Sequence, residues 1–571
     1  MLKIQTAKTV ILAGDAALAE KVCERLREPG VYQPLIEAPM VRLVEDGVFE
    51  NDCVHVGLAI EALKPTTLLY LKVPSDVAQE LRRLFPDLTP LVLNDFDPVW
   101  LEKYLPLNKR PVNLSDLMNL PGSECSGDVF VIEEDHNFDS VIAANLASAQ
   151  GGSVLAIPSV SNNELDSLRD ALRVWANSNQ PDRANTAVLE FIQSRLPPRL
   201  ITASKLKSIS FITKGVPYGI LPFNCPTTHY FSFPLLGVAV LAGMLKSHDI
   251  HLCPIAVLID SGTVGQSELE TLRNGFNNAG YYSRIALGTQ ATVMTATYLS
   301  QHLPCDFIFY ASHCDEVHGQ RVVESFPDSE GIEHVICYDR VNNICGSPIN
   351  GHVELVEMKS PVTLDGVDWS NKAKLTEMNA ENLIRDFRAH VKLSSGMPNT
   401  RRFLSITDGG KVQYSDSLGM SDGIYIPIPQ VVGGHHYPLV FNNACCSWRE
   451  LAARFAWGGA SAYIGTSTKV QNTVAVKIAC AFSKAILSGK TAGIALFKAQ
   501  REFAAKFGYS PYLMHGYLFT SYRRLPIAIR HQRVVSRLSH MRQLYESSPG
   551  IYTQAAAVFL NQELNHFLQT M

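Results

Sequence analysis

The sequence sets two cysteines side by side, Cys445 and Cys446, in YPLVFNNACCSW, just after the apolar run Pro438 to Phe441. Adjacent thiols rarely reach disulfide geometry, so each needs its own account. A thiol is a useful nucleophile only as thiolate, which requires a base or a positive field beside it. A histidine supplies both. His313 closes another apolar run, CDFIFYAS, and lies 132 residues before Cys445. The chemistry open to such a pair is nucleophilic attack on a carbonyl, with Cys445 as nucleophile and His313 as base. The backbone N–H of Cys445 could donate to the oxyanion formed. Cys446 is expected to face elsewhere and to serve structurally. Taken alone, Cys445 would also read as a small buried hydrophobe.

The elements that must position this pair follow from the apolar patterning. CPIAVLIDSG reads as a buried strand, SELETLRNGFNNAG as a helix ended by Gly280, and YYSRIALG as a strand. ATVMTATYLSQHLP is a helix, and CDFIFYAS is a third strand running into His313. After residues 315–436, which break the pattern, YPLVFNNAC is a fourth strand and SWRELAARFAWGG a helix. ASAYIGTST is a fifth strand, followed by the long helix NTVAVKIACAFSKAILSG. His313 and Cys445 thus fall at C-terminal ends of strands, the edge where open α/β sheets build their sites. If the two strands are neighbours, the side chains can meet above the sheet.

The first third alternates in the same way. TVILAG, TTLLYLKV, LTPLVLN, DVFVIEED and GSVLAIPSV read as strands, with helical patterns such as DAALAEKVCERLRE and FDSVIAANLASAQ between them. Such alternation favours a mostly parallel sheet flanked by helices. The Pro-rich, irregular stretch around PYGILPFNCPTTHYFSF marks a boundary. The expected organisation is an N-terminal α/β domain over 1–200, a connecting segment over 201–250, and a second α/β domain over 251–525 carrying the insertion 315–436. A basic helical tail over 526–571 completes it. Around that tail, Lys506, Arg523, Arg524, Arg530, Arg533, Arg537 and Arg542 occur with no acid between Phe503 and Tyr545. Val534, Leu538, Met541 and Tyr545 recur at helical spacing, which predicts a helix docked by its apolar face. The other reading of this stretch is a contact surface for an acidic partner or nucleic acid.

Composition narrows the class. The chain has 571 residues, 46% apolar and 18% charged, with a net charge of −4. The charged share lies below the usual ~25%, which implies extensive burial. The small net charge argues against wholesale nucleic-acid binding. The twelve cysteines are scattered, unlike a secreted disulfide framework. No apolar stretch has the length and flanks of a signal peptide or a membrane span. A soluble cytoplasmic protein is expected, with no membrane association.

The ordered set FIFYASHC, VFNNACCS, WGGASAYIGTSTKV and LSGKTAGIALFKAQREF resembles the CHAT group of caspase-like cysteine peptidases, in the clan of caspases, separases and gingipains. The resemblance covers roughly 253 to 507. It implies a caspase-like fold and a cysteine endopeptidase with a His313–Cys445 dyad and a protein substrate. The backbone N–H groups of Cys314 and Cys445 would form the oxyanion hole. Asp260 and Asn443 match positions lining the pocket for the side chain preceding the cut, and an acid there implies cleavage after Arg or Lys. Asp260 could instead cap the next turn. Peptidases of this kind await a partner or signal, which makes 315–436 a candidate regulatory element. Two residues depart from the family pattern, Cys314 in place of a Gly and Trp448 where a Gly often follows. They keep open a second reading, a catalytically degenerate scaffold acting as a protein-interaction module.

No cofactor or metal is expected. His313, Cys314 and His318, and the pair His435 and His436, lack paired ligand spacing. LSGKT at 487–491 lacks the first Gly of a phosphate loop and follows a helix, so Gly489 is read as a helix end.

Overall fold

The computed structural model describes residues 5–39, 48–87, 89–105, 107, 112–118, 125–134, 137–176, 178, 184–231, 235–246, 252–262, 267–349, 352–369, 371–394, 402–412, 415–427, 431–522, 524–547 and 551–570. Arg523 of the basic stretch lies outside them. The chain is α/β, built on a large, mostly parallel central sheet flanked by helices. Its ten strands, in chain order, are β1 (Ser126–Glu133), β2 (Ser153–Ile157), β3 (Lys205–Thr213), β4 (Thr227–Phe231) and β5 (Ile255–Asp260), then β6 (Tyr282–Leu287), β7 (Phe307–Ala311), β8 (Leu439–Asn442), β9 (Ala462–Thr466) and β10 (Tyr512–Gly516). Their order across the sheet is β6-β5-β7-β8-β9-β10-β4-β3-β1-β2. Every pairing is parallel except β9 with β10. The sheet is therefore two parallel halves joined back to back, whose C-terminal strand edges point in opposite directions. The divisions at 200 and 250 fall inside this one sheet, because β1 to β4 extend it beyond β10.

Strands covered on both faces are near-continuous apolar runs, and β5, β7 and β8 follow this up to the terminal Asp260 and Asn442, with every residue buried. Alternation sends Phe309 and Phe441 to one face, where their rings stack 5.8 Å apart. Tyr310 goes to the other face and packs on Phe455. Helix Val293–Gln301 begins at Thr292, whose hydroxyl accepts the Thr295 N–H at 3.1 Å. At the far end of β10, Gly516 has φ +95 and lies so close to β9 that a Cβ would sit 2.6 Å from the Ser461 carbonyl. Only glycine fits that approach without strain.

A buried ion pair fixes the start of the His313 strand. Lys246, at the end of helix Leu236–Lys246, contacts Asp306 with both side chains almost wholly buried. The same carboxylate accepts the Cys253 N–H at 2.8 Å ahead of β5, and the Asp306 carbonyl accepts the Tyr522 hydroxyl at 2.6 Å. One residue thus ties together the entries to β5 and β7. Residues 5–105 form a smaller, wholly parallel four-stranded sheet of their own. Arg27, fully buried, joins that unit to the central sheet through Asn145 (2.7 Å) while pairing with Glu20 (2.7 Å).

Helix Ile527–Ser547 buries Val534, Leu538 and Met541 against the main core, and the Tyr545 hydroxyl bonds His302 at 3.0 Å. The apolar spacing 534, 538, 541 and 545 is thus a docking face. Helix Asn472–Leu487 ends before Gly489, which has φ +86. Among the described residues, no helix is long and apolar enough to cross a membrane.

The insertion is a five-stranded antiparallel sheet within 318–411, backed by helix Ala380–Ser394. His334 pins one end of it, with Nδ1 2.7 Å from Asp365 and Nε2 3.3 Å from Asp328. Burial works against its charge, but the two carboxylates outweigh burial and hold its pKa above the ordinary imidazole value. A raised folded pKa contributes stability that is complete below the unfolded value of ~6.5 and is lost as pH rises through the folded value. Denaturant melts of the full chain should therefore show the insertion losing about 1 kcal/mol or less as pH rises above about 6.5. His334→Gln should flatten that dependence, and a wild-type profile already flat would contradict it.

Candidate active site

Strands β7 and β8 are adjacent and parallel, with Tyr310 in register with Asn442. His313 lies three residues past Tyr310, and Cys445 three residues past Asn442. The fold therefore carries both to the same height above the same sheet edge. On the other side of β7, Asp260 at the end of β5 is in register with Ala311. Asp260, His313, Asn443 and Cys445 all gather at this edge.

The turn bearing Cys445 is held by a dense set of hydrogen bonds. The Asn442 side chain accepts the Ala444 N–H at 3.0 Å and donates to the Tyr463 hydroxyl at 2.9 Å. That hydroxyl donates to the Ser447 carbonyl at 2.8 Å. The Thr466 hydroxyl donates to the Ala444 carbonyl at 2.9 Å, and the Trp448 N–H to the Thr466 carbonyl at 3.0 Å. These contacts wrap both sides of Cys445 and leave its own N–H without a hydrogen bond among the described residues. Trp448 is buried with its ring edge-on to His229 at 4.9 Å, so its bulk is absorbed beneath the turn rather than over it.

Cys446 takes φ +56, a left-handed conformation that non-glycine residues adopt at a cost. That twist separates the two thiols. Burial, then the neighbouring Cys445, pushes the Cys446 thiol up to about 12. A thiol so placed is inert at neutral pH. Cys445, like Cys446, is partly exposed, and its S–H is directed at the Val470 carbonyl, 3.8 Å away.

His313 is exposed, and among the described residues no hydrogen bond joins its imidazole to the Cys445 sulfur. Its carbonyl accepts the Gly419 N–H at 2.9 Å, where strand Cys314–Asp315 pairs antiparallel with Ser417–Gly419. Antiparallel ladders alternate bonded and non-bonded pairs. With His313 and Gly419 bonded, Cys314 and Leu418 form a non-bonded pair, and the Cys314 N–H is turned away from that ladder. Among the described residues, the Cys445 N–H thus has no hydrogen bond, and the Cys314 N–H faces away from the ladder. Burial first, then the nearby Asp416, pushes the Cys314 thiol well above its ordinary value, so its side chain is no rival nucleophile.

Asp260 is fully buried. One oxygen accepts the Gly262 N–H at 2.8 Å, so it does cap the following turn, and its other oxygen has no partner among the described residues. Asn443 donates to Glu268 at 2.8 Å and accepts from the Tyr512 hydroxyl. Glu268 and Tyr512 were not singled out by the sequence. Glu268 sits in the first turn of helix Ser267–Asn278, where an acid is ordinary helix chemistry, and Tyr512 opens an unforeseen strand.

The histidines weighed as metal ligands are otherwise engaged or apart. His436 bonds the Gly434 carbonyl at 2.8 Å, and His318 opens a strand of the insertion. Among the described residues, no three His, Cys, Asp or Glu side chains gather where they could hold a metal ion.

Alkylation by iodoacetamide near neutral pH, read by peptide mass spectrometry, should modify Cys445 well ahead of Cys446. Equal labelling of the two in folded protein would contradict the assignment of Cys446 as the inert member.

No protein-family model matches this chain, and no curated protein matches it, so the reading of the site rests on its geometry.

Proposed function

We propose that this chain is a cysteine endopeptidase of the caspase-like, CHAT type, acting in the cytoplasm on a protein substrate with His313 as base and Cys445 as nucleophile. The observation that carries the reading is the placement of both residues three positions beyond one register pair on adjacent parallel strands. His313 takes the thiol proton, and the thiolate adds to the scissile carbonyl carbon. The oxyanion is received by the N–H groups of Cys314 and Cys445. The imidazolium then protonates the amine as the C–N bond breaks, leaving a thioester. Water, deprotonated by His313, adds to the thioester, and the departing thiolate recovers the proton. Asp260 and Asn443 line the pocket for the side chain preceding the cut. A buried carboxylate there is best offset by an arriving Arg or Lys.

The direction of the Cys445 S–H towards Val470 fits a resting enzyme. A regulatory partner acting through the insertion would reach the site directly, because strand Cys314–Asp315 begins one residue past His313. The same lack of a His313–Cys445 hydrogen bond favours the second reading, a scaffold that retains the fold without the chemistry.

Assays on purified full-length variants separate the two. His313→Ala and Cys445→Ala should each lose activity on the order of 10³-fold or more, about as much as the double variant, because the pair acts as a unit. Cys446→Ala should keep most activity. A folded Cys446→Ala as inactive as Cys445→Ala would move the nucleophile. Selective Cys445 labelling absent under every activating condition would favour the scaffold.

A further inference from the structure

Two carboxylates, not one, stand at the back of the edge that carries Asp260 and Asn443. Glu268 has no exposed surface, and its carboxylate is divided in its bonding. One oxygen accepts the Asn443 side-chain N–H at 2.8 Å, and the other has no partner among the described residues. Asp260 is in the same condition, with one oxygen on the Gly262 N–H and one unpartnered. Both side chains are fully buried. Removing a carboxylate oxygen from water without a partner is costly. A cationic group carrying several N–H donors would satisfy both at once.

Among the described residues, the surroundings supply no such cation. The groups facing the pair are Asn443 from the end of β8, the Tyr512 phenol from β10 and the Cys480 thiol from helix Asn472–Leu487. Among the described residues, no lysine or arginine offsets either carboxylate. The Tyr512 hydroxyl orients the Asn443 carbonyl oxygen, which leaves the amide N–H to hold Glu268. Glu268 is thereby aimed from the helix side and Asp260 from the strand side.

We infer that Glu268 is a second specificity-determining residue which, with Asp260, seats one guanidinium or ammonium group. This rests on the peptidase reading for its place in substrate recognition. The proton balance follows from the burial. Burial, then the charge of Asp260, raises Glu268 to about 7, and burial raises Asp260 as well. The empty pair therefore holds a proton near neutrality, and an arriving cation displaces it to solvent. Affinity for a basic side chain then rises with pH through about 7 and levels off above it. The same linkage means that Glu268 lowers the stability of the empty protein as pH rises from its unfolded value to about 7. Glu268→Gln, of the same shape, should therefore fold and melt no lower than the parent near about pH 8.

The seat is tested with agmatine, an amine bearing a guanidinium, titrated calorimetrically into full-length Cys445→Ala. Binding should be about tenfold tighter at about pH 8 than at about pH 6. Adding Glu268→Gln should weaken it about 10- to 100-fold at the higher pH and remove the pH dependence. Binding unchanged by Glu268→Gln, or no binding to a protein that retains its melt, overturns the inference. The nucleophile plays no part in this measurement, so the two readings fail separately. Agmatine binding with no peptidase activity leaves the seat and removes the peptidase. Cleavage after Arg or Lys that is undiminished in Glu268→Gln leaves the peptidase and removes the seat.

Discussion

The parallel pairing of β7 with β8 is the constraint on which the site depends. A parallel ladder has a single register wherever both faces are buried, because a slip by one residue would exchange the faces of every side chain. Here the register is held from both sides. Phe309 stacks on Phe441 on one face, and Tyr310 packs beneath Phe455 on the other. The Lys246–Asp306 pair anchors the entry to β7 from below. The heights of His313 and Cys445 above the sheet are consequences of packing far from either residue.

The edge above these strands is electrostatically expensive. Three of its residues, Asp260, Glu268 and Asn443, are polar and buried, and among the described residues the two acids have no counter-ion. A chain selected for stability alone would place apolar side chains there, since buried charges rarely return their desolvation cost. Their presence next to a left-handed Cys446 concentrates unfavourable features on one edge. Such concentration is characteristic of sites poised for a ligand. The opposite edge of the same half begins with Asp306, where the acid is paired with Lys246 and held by the Cys253 N–H.

The insertion adjoins this edge. Its sheet is antiparallel and has its own small apolar core of residues such as Val322, Phe326 and Phe387, separate from the core beneath the site. It is linked to the site through the short pairing of Cys314–Asp315 with Ser417–Gly419. Movement of this sheet would therefore be felt first at the backbone of His313 and Cys314, while the deeper register of β7 and β8 is held by a different core.

Local patterning was enough to determine most elements near the site. Strands β5, β7, β8 and β9 are continuous apolar runs bounded by polar or small residues, and their helices carry apolar faces at helical spacing. The position of Cys445 after Asn-Ala and of His313 after FIFYAS was readable for the same reason. Three strands of the central sheet escaped this reading. KLKSISFIT, TTHYF and YLMHG mix polar and apolar residues, because β3, β4 and β10 meet at the junction of the two halves, where partners differ from face to face. Their absence from the sequence reading is why one sheet was divided at 200 and 250. The sequence placed Asp260 and Asn443 at strand ends, but Glu268 looked like any acid in a first helical turn. Only the packing of helix Ser267–Asn278 over β5 turns it inward, onto Asn443. Hydrophobic periodicity records which face of an element is buried. It carries no record of which polar residues from different elements are buried against one another, and that choice belongs to the tertiary structure.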